Sequence, residues 1–296
     1  MAGVAALAVI LVAAGAVAVV LSARGETHAP AGAQPATRQS QSAGPSGRPS
    51  APAAITTADI AAIWVDRQVN HDVIVACDQA MCEALTAHGF PGRHLKLIRP
   101  GAPYPVRAQV VVETPAVRRQ FGARRNVDLA PPVLVRFGHG SAAISVRVVA
   151  PRGAVAYRTQ LKAAERQRRR EGAGLLASSQ VRASPAAMKE LLAGRVDARL
   201  IVVLTTIASV HPIDILRFGT LFTGMSPRVP MRTAVLALND PAARLSKDDY
   251  LRVLLKQIDA QPDVYRPLIA APVRDAAGIG VFQITFSAPS PLRPHG

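Results

Sequence analysis

The chain has 296 residues, of which 49% are hydrophobic, enough to build one or two folded cores. Its 35 lysines and arginines outnumber its 19 aspartates and glutamates, and the formal charge of +16 predicts attraction to polyanions such as lipid headgroups, wall polymers or nucleic acids. Aromatic residues make up only 4%, which disfavours the base-stacking surfaces that single-stranded nucleic-acid binders use.

Residues 2–21 contain no charged and no polar side chain. As a helix they extend about 30 Å, the thickness of a bilayer's hydrocarbon core, and predict a transmembrane anchor over residues 1–23 in contact with membrane lipid. The alternative is a cleavable signal peptide. Such a peptide has a basic start and a clear cleavage site, and neither is present here.

Residues 24–54 are rich in Ala, Pro, Ser and Gly and predict a disordered linker. Three arginines follow the predicted span, and the positive-inside rule alone would place the body in the cytoplasm. The stalk-like linker and a cysteine pair described below favour an extracytoplasmic body instead. A basic cytoplasmic segment upstream of Met1 would reconcile the two indications.

Helices and strands alternate over residues 55–151, which predicts a small Rossmann-like α/β domain with a mostly parallel sheet. The first helix begins at Thr57, and its core-facing residues are Ile60, Ile63, Trp64 and Val65. Asp78 and Thr114 are good N-caps for two further helices. These helices span 79–88 and 115–121, and the predicted strands are 71–76, 95–98, 109–112, 132–137 and 143–149.

A smaller α+β domain is predicted over residues 152–288, followed by a tail over 289–296. It begins with a basic helix over 155–171, and a later helix over 197–210 is apolar on more than one side, which is typical of a buried core helix. The other predicted helices are 185–193 and 247–260, with caps at Ser184 and Ser246, and the predicted strands are 213–218, 231–238 and 280–286.

Cys77 and Cys82 are the only cysteines. With Asp78 as N-cap, they occupy the N′ and N4 positions, which face each other across the first turn of a helix. A disulfide between them fits this geometry and an oxidising compartment. The alternative is a plain packing contact between two small apolar side chains.

The sequence contains no motif for nucleophilic catalysis, nucleotide binding or zinc binding, and we expect no catalytic residue, no cofactor and no metal site. Asp78 follows a predicted strand, where α/β proteins place ligand-binding side chains, although its capping role already accounts for it. A pocket shared by Asp78, Glu113 and His139 would favour an enzyme.

The densest positive charge lies in the basic helix, at Arg166, Arg168, Arg169 and Arg170. One interpretation is a binding site for anionic lipid or wall polymer. The other is a solvated helix end, where cations interact favourably with the helix dipole.

Four stretches, IWVDRQV, HDVIVACDQAMCEALTAHGF, AQVVVETPAVRRQFG and PPVLVRFGHGSAAISVRVV, carry a resemblance over residues 60–149. This region is similar to the extracytoplasmic C-terminal domain of actinobacterial mannosyltransferase-like membrane proteins, and it also resembles a group of uncharacterised single-pass actinobacterial membrane proteins. Catalysis in those transferases belongs to a multi-span portion that is not matched here. The resemblance implies an extracytoplasmic, non-catalytic accessory module.

Residues 197–238, with DARLIVVL, HPIDIL and Gly219, resemble the core helix and strand of peptidoglycan D,D-carboxypeptidase-like domains. The zinc-binding histidines and the catalytic acidic residue of that family have no counterpart at these positions. This resemblance implies a degenerate, non-hydrolytic copy.

We therefore predict a single-pass, membrane-anchored extracytoplasmic envelope protein that binds or scaffolds without catalysis. The expected ligand is an anionic wall polymer or a membrane protein partner. One alternative is an envelope enzyme that acts on glycan or lipid-linked sugar. Another is a cytoplasmic-facing nucleic-acid binder, which the low aromatic content disfavours.

Overall fold

A computed structural model describes residues 55–105, 107–219, 225–238, 240–242, 244–275 and 277–292. The predicted anchor over residues 1–23 and the predicted linker over 24–54 lie outside the described residues. Within the described ranges, no helix combines the length and the apolar character that crossing a bilayer requires.

The first sheet contains five strands in the order β2-β1-β3-β5-β4. These strands are β1 Val75–Cys77, β2 Leu95–Leu97, β3 Val110–Glu113, β4 Leu129–Phe137 and β5 Ile144–Val149. β1 pairs in parallel with β2 and β3, whereas the β3–β5 and β4–β5 pairs are antiparallel. The prediction of a mostly parallel sheet is wrong, because the connection from Phe137 to Ile144 is too short for a parallel crossover and reverses the chain as a hairpin.

Three helices of this half begin after a capping side chain, whereas a further short helix has no side-chain cap and was not predicted. They are α1 Thr57–Gln68, α2 Gln79–Ala87, α3 Pro115–Phe121 and the short α4 Arg125–Asp128. The Asp78 carboxylate accepts a hydrogen bond from the Met81 amide at 3.0 Å, and the Thr114 hydroxyl accepts one from the Val117 amide at 3.3 Å. Both predicted N-caps are thereby confirmed.

The buried face of α1 agrees with the predicted one at Trp64 and Val65, whereas Ile63 is half-buried and Ile60 is exposed. Ile60 is 47% exposed, whereas Ala61, Trp64, Val65 and Gln68 are buried. The Trp64 ring meets Phe137 edge-on with centroids 6.1 Å apart, and the small Ala61 side chain lets the helix backbone approach the sheet. Packing of the largest side chain therefore sets the rotation of α1, and it turns Ile60 outward.

The second sheet has the order β6-β7-β8-β10-β9, in which only the β6–β7 pair is parallel. Its elements are α5 Gly153–Leu176, β6 Val181–Ala183, α6 Pro185–Leu192, α7 Ala198–Ala208, β7 Ile213–Gly219, β8 Thr233–Ala237, α8 Lys247–Asp259, β9 Ile269–Arg274 and β10 Gly280–Thr285. The sequence had not predicted β6 and β9. The prediction of a buried α7 is confirmed, because Leu200, Leu204 and Ile207 lie in the core of this half.

The described residues from Ile55 to Leu292 belong to one compact unit that contains both sheets. Its two halves meet at the end of α1, where Ala288 donates a backbone hydrogen bond to Gln68 at 2.6 Å and accepts one from Asn70 at 2.9 Å. The buried Arg232, just before β8, also donates to the carbonyl oxygens of Phe286 and Gln68, at 2.8 and 3.4 Å. These bonds fix the last described segment against the first helix.

Candidate anion-binding cleft

Cys77 and Cys82 form a disulfide with their Cα atoms 5.4 Å apart, as the N′ and N4 positions predict. Cys77 ends β1 and Cys82 lies in the first turn of α2, so the bond closes the strand-to-helix connection around Asp78. This part of the predicted site set is confirmed, and its role is structural.

None of the cavities along α5 that are described below is lined by Asp78, Glu113 or His139. The second carboxylate oxygen of Asp78 accepts a hydrogen bond from the Thr114 hydroxyl. Glu113 is buried and lies 3.4 Å from Arg147 and 3.8 Å from Arg125. His139 is exposed at the β4–β5 connection. The two carboxylates are therefore engaged by structural partners, and the described contacts do not join them to His139.

The four arginines of the basic helix do not form one surface. At 100° per residue, Arg166 and Arg170 share a side of α5, Arg169 lies a quarter turn away, and Arg168 points to the opposite side. Arg168 is only 5% exposed, and its Nε donates to the Gly194 carbonyl at 2.9 Å. The prediction of a four-arginine patch is wrong for Arg168, because this side chain belongs to the packed side of the helix.

Arg168 instead lines a concave surface on the other side of α5, which we call the basic cleft. Its volume is about 370 Å³. Its walls come from β4, from α5, from the turn after α6 and from the segment 227–230 before β8. The charged side chains of the basic cleft are Arg158, Lys162, Glu165, Arg168, Arg195 and Arg228.

Two backbone hydrogen bonds fix the walls of the basic cleft against each other. The Met231 amide donates to the Arg195 carbonyl at 2.7 Å, and the Asp197 amide donates to the Met231 carbonyl at 2.9 Å. Val196 and Met231 pair as an isolated parallel bridge between these bonds. The turn after α6 and the segment before β8 are therefore held as a rigid pair, which preorganises the cationic groups they carry.

Gly194 allows α5 to approach the end of α6 closely. Its φ is +66°, and a Cβ at this position would lie 2.6 Å from the Glu165 carbonyl oxygen. Both features require glycine. The close approach brings the Arg168 side chain onto the Gly194 carbonyl, and Arg169 donates to the neighbouring Ala193 carbonyl at 3.2 Å.

The basic cleft carries five cationic side chains and one carboxylate. Glu165 forms an ion pair with Arg169, and Arg195 forms a two-point ion pair with Glu190. The other cationic side chains of the basic cleft are not paired in this way. Within the described ranges, the side chains of Arg158, Lys162 and Arg228 form no hydrogen bond or ion pair.

Burial and neighbouring charges shift the pKa of Arg168 in opposite directions. Burial lowers the pKa of its guanidinium, and the nearby carboxylates of Asp197, Glu165 and Glu171 counter that effect. The hydrogen bond with Glu190 raises the pKa of Arg195. The basic cleft thus contains one desolvated cation at its inner wall and several hydrated cations at its rim, an arrangement suited to a multivalent anion.

Sequence reasoning missed Arg158, Lys162, Arg195 and Arg228 because they come from three separate chain segments. A signal was nevertheless present in α5. Residues 158, 161, 162, 165 and 168 share one side of a helix, and Gly172 continues that side toward α6. A Cβ at Gly172 would lie 2.7 Å from the Leu191 carbonyl oxygen, so this glycine marks a close helix approach.

Within the part of the chain that the structure describes, no group of three or more His, Cys, Asp or Glu side chains is placed to hold a metal ion. No family model matches the chain, and comparisons with curated proteins and with solved structures find no match either. The two family resemblances given above remain predictions.

Proposed function

We propose that this chain is a membrane-anchored envelope protein whose extracytoplasmic body binds an anionic wall polymer without catalysis. The observation that carries the proposal is the basic cleft, in which Arg158, Lys162 and Arg228 lack a paired anion among the described residues and Arg168 is desolvated. A phosphate-bearing chain supplies the counter-charges that such a surface needs.

The disulfide between Cys77 and Cys82 supports the extracytoplasmic location, because such bonds persist in oxidising compartments. The uncharged stretch over residues 2–21 supports the anchor. Blocking free thiols in intact cells, before and after reduction, tests the location. Thiols that react without reduction in an unfolded, quenched sample would place the body in a reducing compartment and overturn this part of the proposal.

Binding is tested with the full chain in nanodiscs of zwitterionic lipid and with long-chain inorganic polyphosphate as the probe. Lys162→Gln removes a cation from the basic cleft, and Arg166→Gln is its matched control one turn along α5, outside the basic cleft. At about 1 kcal/mol for each basic side chain near an anionic surface, Lys162→Gln should weaken binding about fivefold. The control should change it less than twofold.

Two results would refute the proposed polymer site. One is equal weakening by Lys162→Gln and Arg166→Gln, which would mean that overall charge rather than the basic cleft attracts the polymer. The other is the absence of polyphosphate binding at physiological salt. Tighter binding of DNA than of polyphosphate at the same salt concentration would favour the nucleic-acid alternative.

A further inference from the structure

Three cavities lie along α5, and each shares lining residues with the next; we call the three together the groove. The basic cleft shares Leu161, Arg168 and Arg228 with a narrow passage of about 20 Å³. The passage shares Tyr157 and the segment 289–292 with a distal cavity of about 530 Å³. From Arg168 back to Tyr157, the groove follows α5 for about 16 Å at 1.5 Å per residue.

The chemistry of this groove changes from one end to the other. The basic cleft is cationic, whereas the passage is walled mainly by aliphatic and proline side chains, among them Leu134, Val148, Leu161 and Leu292. The distal cavity has a mixed lining, in which Arg152, Gln109 and Gln160 lie beside apolar residues such as Val148 and Val149. A ligand that complements the basic cleft and the passage therefore carries charge at one end and apolar surface next to it.

Arg168 lies at the point where the two kinds of lining meet. It is more than nine-tenths buried, its Nε is committed to the Gly194 carbonyl, and no described residue accepts a hydrogen bond from its Nη1 or Nη2. A planar guanidinium with two free terminal nitrogens suits the two-point recognition of a phosphate group. Arg228, at the same mouth, supplies a second cation.

We infer that the groove binds the lipid-bearing end of an anionic polymer, with a phosphate between Arg168 and Arg228 and the attached apolar chain directed into the passage. The inference rests on the proposed function and names the part of the ligand that this site recognises. Charge complementarity places the phosphate, and the apolar lining of the passage gives the direction of the chain.

The segment 289–292 covers the passage. With this segment in place, about 20 Å³ accommodates only one group the size of a methylene or a water molecule. The first methylene groups of an apolar chain enter the passage when the segment moves outward, and Leu292 then packs against the chain. Leu292 is accordingly the residue whose change alters recognition of the chain without altering recognition of the phosphate.

The test uses the full chain in nanodiscs of zwitterionic lipid and measures how well methyl phosphate and hexyl phosphate displace labelled polyphosphate. Burying one methylene group strengthens binding about fourfold, so two buried methylenes should make hexyl phosphate about fifteenfold more potent than methyl phosphate. Hexanol lacks the phosphate and should displace nothing.

Leu292→Asn keeps the size of the side chain and removes its apolar surface. It should reduce the potency ratio of hexyl to methyl phosphate to about threefold or less, while the potency of methyl phosphate stays within twofold. Leu192→Asn is the matched control, because Leu192 is a half-exposed leucine on α6 away from the groove. It should leave the ratio unchanged.

The outcomes separate this inference from the proposed function. If polyphosphate binds but the ratio is near one in the unmodified chain, the inference is wrong and the anion site stands. If Leu292→Asn and Leu192→Asn both keep the full ratio, the advantage comes from partition into the nanodisc lipid, and the inference is again wrong. If polyphosphate does not bind at all, both proposals fail.

Discussion

Replacing Asp197 with alanine tests whether one buried carboxylate organises the junction behind the basic cleft. Asp197 is fully buried as the N-cap of α7. One carboxylate oxygen accepts from the Arg199 amide at 2.9 Å and from its Nε at 3.2 Å, and the other accepts from its Nη2 at 2.9 Å. The same guanidinium also donates to the Ser287 carbonyl at 2.8 Å.

The expected loss follows from what the substitution leaves behind. Arg199 and Arg232 are both buried, and the negative charge of Asp197 raises the pKa of Arg232 against the lowering effect of its burial. Removing one partner of a buried ion pair costs about 3–5 kcal/mol, since the remaining charge is left without compensation. For a folded unit of this size, that loss lowers the melting temperature by roughly 10 °C.

Urea denaturation followed by circular dichroism measures this loss, and Glu190→Ala is the control. Glu190 pairs with Arg195 at a partly exposed site and caps no helix. Its removal should therefore lower the unfolding free energy by about 1 kcal/mol or less. A cost below about 1 kcal/mol for Asp197→Ala would refute the reasoning.

The same carboxylate gives a pH dependence with a definite sign. Burial alone would raise the pKa of Asp197, but the charge of Arg199 and its hydrogen bonds together lower it below the ordinary value. The stabilisation that the Asp197 carboxylate contributes is therefore complete above its pKa in the unfolded chain, about 4. It is lost as the pH falls through the lower pKa that Asp197 has in the folded protein. Asp197→Ala should lack this part of the acid transition.

Three further predictions concern other parts of the structure. Gly194→Ala should lower the unfolding free energy by at least about 2 kcal/mol, because of the positive φ and the short contact at this position. Gly174→Ala, in an open part of α5, should raise the unfolding free energy by about 0.5–1 kcal/mol. Urea titration of both variants measures the difference. Replacing both Cys77 and Cys82 by serine should lower the unfolding free energy by about 2 kcal/mol relative to the oxidised chain. The N-cap threonine of α1 lowers the pKa of Asp59 to about 2, so an NMR titration of this carboxylate should have its midpoint there, and a midpoint near 4 would contradict the capping box.

Helix starts could be predicted from the sequence because capping is local. Asp78, Thr114 and Ser184 each bond an amide three residues ahead, so a short motif contains all that the start of the helix needs. Ser246 also caps its helix, because its hydroxyl accepts a hydrogen bond from the Asp249 amide. In a full capping box the Asp249 carboxylate would accept from the Ser246 backbone amide, whereas here it accepts from the Ser246 hydroxyl. The motif fixes the start of the helix without fixing every bond.

Strand pairing and the basic cleft depend on contacts between distant segments, and the sequence predicted them less well. In β6, Val181 and Ala183 are only partly buried and Arg182 is exposed, so no run of apolar side chains marks this strand. β9 contains a proline and is half exposed at a sheet edge, where the usual alternation is weak. The basic cleft combines residues from β4, α5 and two turns, and no single stretch of the sequence contains that combination.

Arg168 shows why a run of arginines is ambiguous in sequence and not in structure. Its Nε satisfies a carbonyl just beyond the end of α6, a common role for a basic side chain near a helix C-terminus. That bond holds the guanidinium at the inner wall of the basic cleft and leaves its terminal nitrogens for an anion. Lysine would keep the charge but lose the planar geometry that allows both contacts at once. The packing of α5 against α6 and the proposed recognition of phosphate therefore depend on the same side chain.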